Sequence, residues 1–343
     1  MILHVVPRFV LSSRFHGAYK DVVSRVEWFQ RQGEPYHQLV IEKDDEGQLV
    51  EVPAVESVQR ILVEYTRFPG IVRGLRTRYP HAFLGIRAHN AEPLQHLDNT
   101  GWFPPRGPLW MLYGVLRLLR QDWMSVRSCD AVYSISDYEN RLYWNRFPGR
   151  ARVEWMPYFC PSHLLPKNPL PTAERTIIAC LPTSQKNRKS WDLVTRFVRF
   201  AEAMKPTGAS FDFVVTGNLA DWGLPESEAV RYVGHIEQLS DFLGQLRAVA
   251  VLSPLGYGFK TTILDAMAAG AYVLVHPTIA RRCPSQLEKG LISLNTDHLP
   301  DYRQLERVSA RLATLFPLPC VNGQLRTMSL KVIEQDFGDP IVL

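Results

Sequence analysis

With 343 residues the chain is too long for one ordinary hydrophobic core and suits two α/β domains of usual size. Its 46% hydrophobic and 21% charged residues exclude a disordered or membrane-spanning class. The formal charge of +5 and pI near 8.9 give a mild basic bias, which suits an anionic small molecule, a phospholipid surface or nucleic acid alike.

The chain opens with Ile2–Val6, an apolar run too short for a signal h-region and without a basic n-region, which reads as a first buried strand. A polar loop and a helical stretch from Ala18 to Gln32 follow, stopped by Gly33. Further strands are expected at Tyr36–Ile41, Ile61–Glu64, Ala82–Arg87 and Ala131–Ile135. Pro157, Pro161, Pro166, Pro169 and Pro171 crowd one stretch, which favours an extended connection and places an interdomain linker at 166–175. Alternation then restarts, with strands at Thr176–Leu181, Phe211–Thr216, Arg231–Val233, Ala248–Ser253 and Tyr272–Val275, and helices at Trp191–Ala203, Ser240–Leu246 and Thr262–Ala269. This pattern predicts two doubly wound parallel sheets: one domain over 1–165, a second over 176–325, and a tail over 326–343 that packs back on the first.

Five cysteines (Cys129, Cys160, Cys180, Cys283 and Cys320) stand far apart without a CxxC pair, so neither a disulfide frame nor a zinc site is supported, and a cytoplasmic location is expected. No window approaches the roughly 18 apolar residues that a membrane span needs.

Val249–Val275 reads strand, glycine loop, helix, glycine stop, strand. Gly256 and Gly258 let the backbone approach a ligand closely, and a helix opening at Thr261 or Thr262 aims its free amides and positive dipole end at the same spot. Lys260 adds a full charge there, while Asp265 lies one turn inside, where a carboxylate can accept hydrogen bonds from ribose hydroxyls. The pattern is not a Walker A loop, because Phe259 stands where a glycine should precede the lysine. Nor is it the dinucleotide fingerprint, which needs a third glycine and follows the first strand.

From Pro254 through Gly256, Gly258, Lys260 and Leu264–Gly270, this segment resembles the signature of glycosyltransferase family 4. Phe211–Gly217 and Tyr232–Ile236 resemble the elements that precede it in that family. Looser similarities follow in the N-terminal half: Ser12–Lys20 with Gly17 resembles the first glycine loop, Arg87–Glu92 a histidine-containing strand end, Asp130–Ser136 a later strand, and Arg152–Pro157 the strand before the linker. The family's usual glutamate is Asp265 here, and Gln185-Lys186-Asn187-Arg188-Lys189 stands where one arginine and one lysine normally occur.

The resemblance implies a GT-B fold, two Rossmann-like doubly wound domains facing a central cleft, and a retaining transfer of a hexose or pentose from a nucleotide sugar to a hydroxyl. Among the residues that match, it implies catalytic roles for His89, Lys260 and Lys189. Donor contacts would come from Gly17, Arg188, Gly217, Ile236, Tyr257, Gly258, Phe259, Thr261, Thr262 and Asp265, and acceptor contacts from Asn90 and Glu92. Which of Lys186, Arg188 and Lys189 meet the diphosphate stays open. Attack from the front face, with the leaving phosphate as base, is the stereochemical expectation. No Asp-x-Asp occurs and the adjacent Asp44 and Asp45 sit in a hydrophilic turn, so no metal or other cofactor is expected, and cationic side chains with a helix end neutralise the leaving group.

The acceptor class expected from the family is a lipid-linked or polysaccharide-type saccharide, met at the inner membrane surface, by a monomer or homodimer. Glycosylation of a hydroxymethylated DNA base is the second enzymatic reading, and a binding module without turnover is the alternative from another class. An NAD-dependent oxidoreductase ranks last, because the first strand–helix turn holds only Gly17. Trp102–Arg127 mixes aromatics with arginines at helical spacing. Such a helix can meet a bilayer or nucleic acid, but an aromatic and methionine stripe is more often core, and a core helix with an arginine face is expected.

Overall fold

The computed structural model describes residues 1–12, 17–31, 33, 35–54, 57–99, 107–147, 149–183, 186–208, 210–224, 227–298, 301–314 and 321–338. Residues 13–16 of the first glycine loop, 102–106, Gln185, Cys320 and 339–343 of the tail lie outside the described residues.

Among the described residues twelve strands form two separate six-stranded sheets, and every strand pair within them is parallel. The first holds β1 (Ile2–Pro7), β2 (Tyr36–Ile41), β3 (Arg60–Glu64), β4 (Phe83–Ala88), β5 (Ala131–Ser134) and β6 (Arg152–Trp155), in the order β2-β1-β3-β4-β5-β6. The second holds β7 (Ile177–Cys180), β8 (Asp212–Val215), β9 (Arg231–Tyr232), β10 (Leu246–Val251), β11 (Tyr272–Val275) and β12 (Leu291–Ser293), in the order β12-β11-β10-β7-β8-β9. Helices cover both faces of such sheets, which is why β1, β5 and β11 are buried along their whole length and read as mostly apolar runs. Both orders reverse direction once, between β1 and β3 in the first sheet and between β7 and β10 in the second. At such a reversal the loops leave in opposite directions and open a crevice at the carboxyl ends of the strands.

The expected strands are present, their ends shifted by one or two residues, and the expected helices appear at Gly17–Arg31, Arg188–Met204, Leu239–Leu243 and Thr261–Ala268. Three-residue β12 was not anticipated, being too short to give a periodic signal. The last helix, Val321–Phe337, is shared: Val321 and Leu325 join the core of the second sheet, whereas Ile333 and Phe337 join Phe29 and Tyr133 under the first.

One expectation is overturned. The helix Pro108–Ser128 is not a core helix with an arginine face, because it buries only the thin stripe Gly114, Leu118, Asp122, Ser125 and Val126, and its other leucines and its aromatic rings face outward. Gly114 lets it lie close against the helix Glu92–Asn99, where a side chain would strike the His96 ring. Its polar Asp122 is turned inward, accepting hydrogen bonds from the hydroxyls of Thr66 (2.5 Å) and Tyr143 (2.6 Å). Burial pushes that carboxyl up to about 7.

Candidate active site

The carboxyl ends of β1, β3 and β4 stand over a buried ionic network. Arg25, on the helix after β1, donates to both oxygens of Glu64 at 2.7 and 2.8 Å and lies 2.7 Å from Asp21. Arg87 donates to both oxygens of Asp21 at 2.8 and 3.0 Å. The Nε2 atoms of His4 and His89 meet the two oxygens of Glu64 at 2.6 and 2.7 Å, and a carboxylate can only accept, so both nitrogens donate. Burial alone would raise the Glu64 carboxyl, but Arg25 and the two histidines hold it well below the usual carboxylate range. Asp21, Glu64 and His89 bring ligand atoms within 4.8 Å of one another, yet the two carboxylates are balanced by two guanidiniums. The network therefore satisfies itself, as a buried ion cluster must.

His89 is thereby fixed with its ring turned into the network and stacked on Tyr65 at 4.4 Å. Tyr65 has φ 74, the one positive value at a non-glycine residue among those described, and this is a local strain of the kind that concentrates at sites. The other side of the His89 turn faces the second half of the molecule. Gly258 has φ 82 and lies directly beneath Asn90 Oδ1 and the His89 carbonyl, so that a Cβ there would collide with the Asn90 amide. Gly17 lies equally close to Thr261, whose Oγ1 would be 2.5 Å from an added Cβ.

The second half supplies the positive charge. Lys260 is the N-cap residue of Thr261–Ala268, and its ammonium donates to the Tyr257 carbonyl at 3.3 Å. Together with the Lys189 stem it packs on the Gly256 backbone, where a Cβ would lie 2.7 Å from Lys189 Cδ and nearer still to Lys260 Nζ. Arg282 closes the third side, donating to the Gly256 carbonyl at 3.1 Å with its guanidinium 4.4 Å from the Tyr257 ring centre. Burial, with Lys189 and Arg282 beside it, pushes the Lys260 ammonium well below the usual lysine range. Lys189 is lowered by burial too, against the pull of Asp98. A cavity of about 90 Å³ adjoins this cluster at the β7/β10 reversal, lined by Pro182, Thr183, Lys189, Ser190, Ser253, Leu255, Lys260 and Thr262 among others.

The amides of both glycines in this loop are taken by carboxylates from the first half. Gly256 N–H donates to Asp98 and Gly258 N–H to Glu139, each at 2.6 Å. Glu139 also accepts from the Ala91 amide at 3.2 Å, and burial raises its carboxyl to about 7.

The remaining expected residues fall as follows. Asp265 is buried with its oxygens on Lys20 Nζ (2.5 Å) and the Tyr158 hydroxyl (2.7 Å), so a ribose contact would require exchange of one of these partners. Phe259 packs near Tyr158 at 6.4 Å, and Thr262 lines the cavity. Glu92 takes Arg67 on one oxygen, while its other oxygen and Gln95 Oε1 are buried without a hydrogen-bond partner among the described residues. Of the basic run, Lys189 reaches the glycine loop, Lys186 lies outside and donates to the Asp221 carbonyl, and Arg188 opens the helix that Asn187 caps. Gly217 and Ile236 follow β8 and β9, further out along the sheet, where Gly217 donates to the Gly234 carbonyl at 2.6 Å.

Arg282, Asp98, Glu139, Lys20 and Tyr158 escaped the sequence reading. Arg282, Glu139 and Tyr158 carry the faint signal of standing a few residues past the carboxyl end of a strand; Asp98 and Lys20 have none.

No family model and no curated protein matches the chain. Solved structures do. A glycosyltransferase from Rickettsia africae superposes with TM-score 0.62 at 11% identity, covering 98% of each chain. Sucrose-phosphate synthase from Thermosynechococcus elongatus gives 0.60 at 12% identity and 97% of each chain. HepE from Anabaena, in complex with UDP, gives 0.58 at 10% identity over 97% of this chain and 98% of its own. The chain has the GT-B fold. Identities this low speak for the fold alone.

Proposed function

We propose that the protein is a glycosyltransferase that takes a sugar from a nucleoside-diphosphate donor and passes it to a hydroxyl acceptor. The observation that carries this is the cluster of Lys189, Lys260 and Arg282 around the Gly256–Gly258 loop, at the helix N-terminus and beside the β7/β10 crevice. Three cations at a helix end, with Lys260 strained toward its neutral form, supply what the departing diphosphate needs as its charge grows. They also supply it without a divalent ion, so we propose a metal-independent reaction. HepE, of the same fold, was solved with UDP and with UDP and glucose.

In this reading residues 176–325 hold the donor and residues 1–165 the acceptor. The sugar lies beside the glycine loop, where the unpartnered oxygens of Glu92 and Gln95 can accept from sugar hydroxyls. Retention by front-face attack, a cytoplasmic location and a lipid-linked or polysaccharide acceptor at the membrane surface complete the proposal. No helix among the described residues is long and apolar enough to cross a membrane.

The test is a thermal-shift panel of UDP-, GDP-, ADP-, CMP- and dTDP-sugars on the wild type and Lys260→Ala. A ligand that binds only the folded state at 100 times its Kd stabilises by about 2.7 kcal/mol, so one nucleotide should raise Tm by several degrees, and the variant should lose most of that rise. No shift with any nucleotide would sink the proposal. Release of the free nucleotide with EDTA present then tests the metal independence.

A further inference from the structure

We infer that the outward face of the helix Pro108–Ser128 docks the protein on an anionic lipid bilayer, lying in the headgroup layer with its leucines and aromatic rings inserted. The inference rests on the transfer reading only for its consequence, that the acceptor is drawn from that bilayer.

At 100° per residue, positions 109, 113, 116, 120, 123 and 127 fall on one line of a helix, with 112 and 119 flanking it. Here that line faces solvent. Leu109 is 81% exposed, Tyr113 65%, Leu116 55% and Leu112 54%, with Leu119 and Trp123 also exposed. The usual arrangement of a surface helix is thus inverted, since the apolar stripe points away from the sheet. An apolar groove of about 440 Å³ continues the stripe, where Leu116, Leu119 and Trp123 meet Tyr143 and Phe147. A contiguous apolar surface of this kind marks a contact.

Charge selects the occupant. Arg117, Arg120 and Arg127 are exposed along the helix and Arg146 stands at the groove rim, whereas the helix's one acid, Asp122, is buried beneath. The helix contributes no exposed acid to this apolar and cationic face, which complements anionic headgroups over an acyl layer. A second copy of the chain docked face to face would oppose arginine to arginine. Nucleic acid would use the arginines and rings but leave the leucines in water. The helix also fails as a span, so it lies on a bilayer rather than through it. Its partner helix Glu92–Asn99, pressed against Gly114 with the His96 ring tilted against Trp110 at 5.4 Å, carries Gln95 and Asp98 to the glycine loop. The cleft mouth therefore stands one helix from the membrane.

Vesicle flotation of the full chain tests this with phosphatidylglycerol-containing and pure phosphatidylcholine vesicles, at low and high salt. The protein should float with the anionic vesicles and much less with the neutral ones. The double variant Leu112→Glu/Leu116→Glu should bind about ten-fold less or weaker still, and Arg117→Glu/Arg120→Glu should abolish the preference for anionic lipid. Both should keep the melting temperature and the nucleotide-induced shift of the wild type, since the altered side chains point outward. Absence of vesicle binding by the wild type, or binding indifferent to both variants, would overturn the inference. So would a concentration-dependent dimer that the leucine variant dissolves, or duplex DNA binding in place of vesicle binding. The donor reading is scored separately by the nucleotide shift, which neither double variant touches.

Discussion

Asp265 is settled by both halves of the chain at once. One oxygen faces Lys20, on the helix Gly17–Arg31 of the first half, and the other faces Tyr158, just before the connection to the second. All three residues are buried. Removing one member of a buried ion pair leaves the other charge in low dielectric without a partner, a loss of about 3–5 kcal/mol. Asp265→Ala is therefore expected to lower the urea unfolding free energy by about that amount, and Lys20→Met in the same chain should recover much of it. A double variant no more stable than Asp265→Ala would show that the pair contributes little. In the sequence this aspartate was visible as a charge one turn into a helix, and its likeness to a family glutamate suggested a ribose contact. Lys20 could not be seen, because 245 positions separate the partners and only the packing of one half on the other brings them together.

The strand–loop–helix unit of β10, Gly256–Gly258 and Thr261–Ala268 was legible almost to its boundaries, because each part has a local cause. The strand is a buried apolar run, the loop is glycine, and the helix stops at Gly270, which has φ 80. Gly258 is needed twice over, since φ 82 disfavours any side chain and the Asn90 amide fills the space a Cβ would take. Gly258→Ala should cost about 1–2 kcal/mol in stability, within what a forced left-handed alanine costs. It should weaken nucleotide binding far more than that loss explains, because the loop must move away from Asn90. Isothermal titration with the nucleotide found in the thermal panel decides it, and unchanged affinity would place the ligand elsewhere. The helix Pro108–Ser128 shows the limit of this kind of reading. Periodicity told which residues share a stripe, but not which stripe meets the sheet. That choice is made by Gly114 against His96 and by Asp122 under Thr66 and Tyr143, contacts with no trace in local sequence.

Polar contacts from Lys20, Asp98, Glu139 and Tyr158 hold the two halves together, and Glu139 makes one that depends on pH. Its two oxygens bridge the Ala91 amide at the end of β4 and the Gly258 amide of the glycine loop. Burial raises its carboxyl from the ordinary 4.5 to about 7, the two amides and the nearby Lys260 opposing only part of the shift. A carboxyl whose pKa is raised on folding stabilises the folded state fully below the unfolded value, and that contribution is lost as pH rises through the folded one. The window here runs from about pH 4.5 to 7, and a shift of this size corresponds to about 3 kcal/mol. Asp122, raised to about 7 by burial, adds a fall of the same sign. Glu139→Gln keeps an acceptor for one amide and removes the charge, so its unfolding free energy should change less between pH 5 and pH 8 than that of the wild type. Asp122→Asn in addition should flatten the curve further. The measurement is urea unfolding at constant ionic strength across that range, and parallel curves for wild type and Glu139→Gln would show that this carboxyl does not titrate there. If the slopes differ as expected, the same residue predicts a functional consequence: a neutral Glu139 holds the glycine loop shut more weakly than an anion would, so exchange of its amide onto a donor should be easier at pH 6 than at pH 8. Nucleotide affinity of the wild type should accordingly fall over that interval, and Glu139→Gln should remove part of the fall.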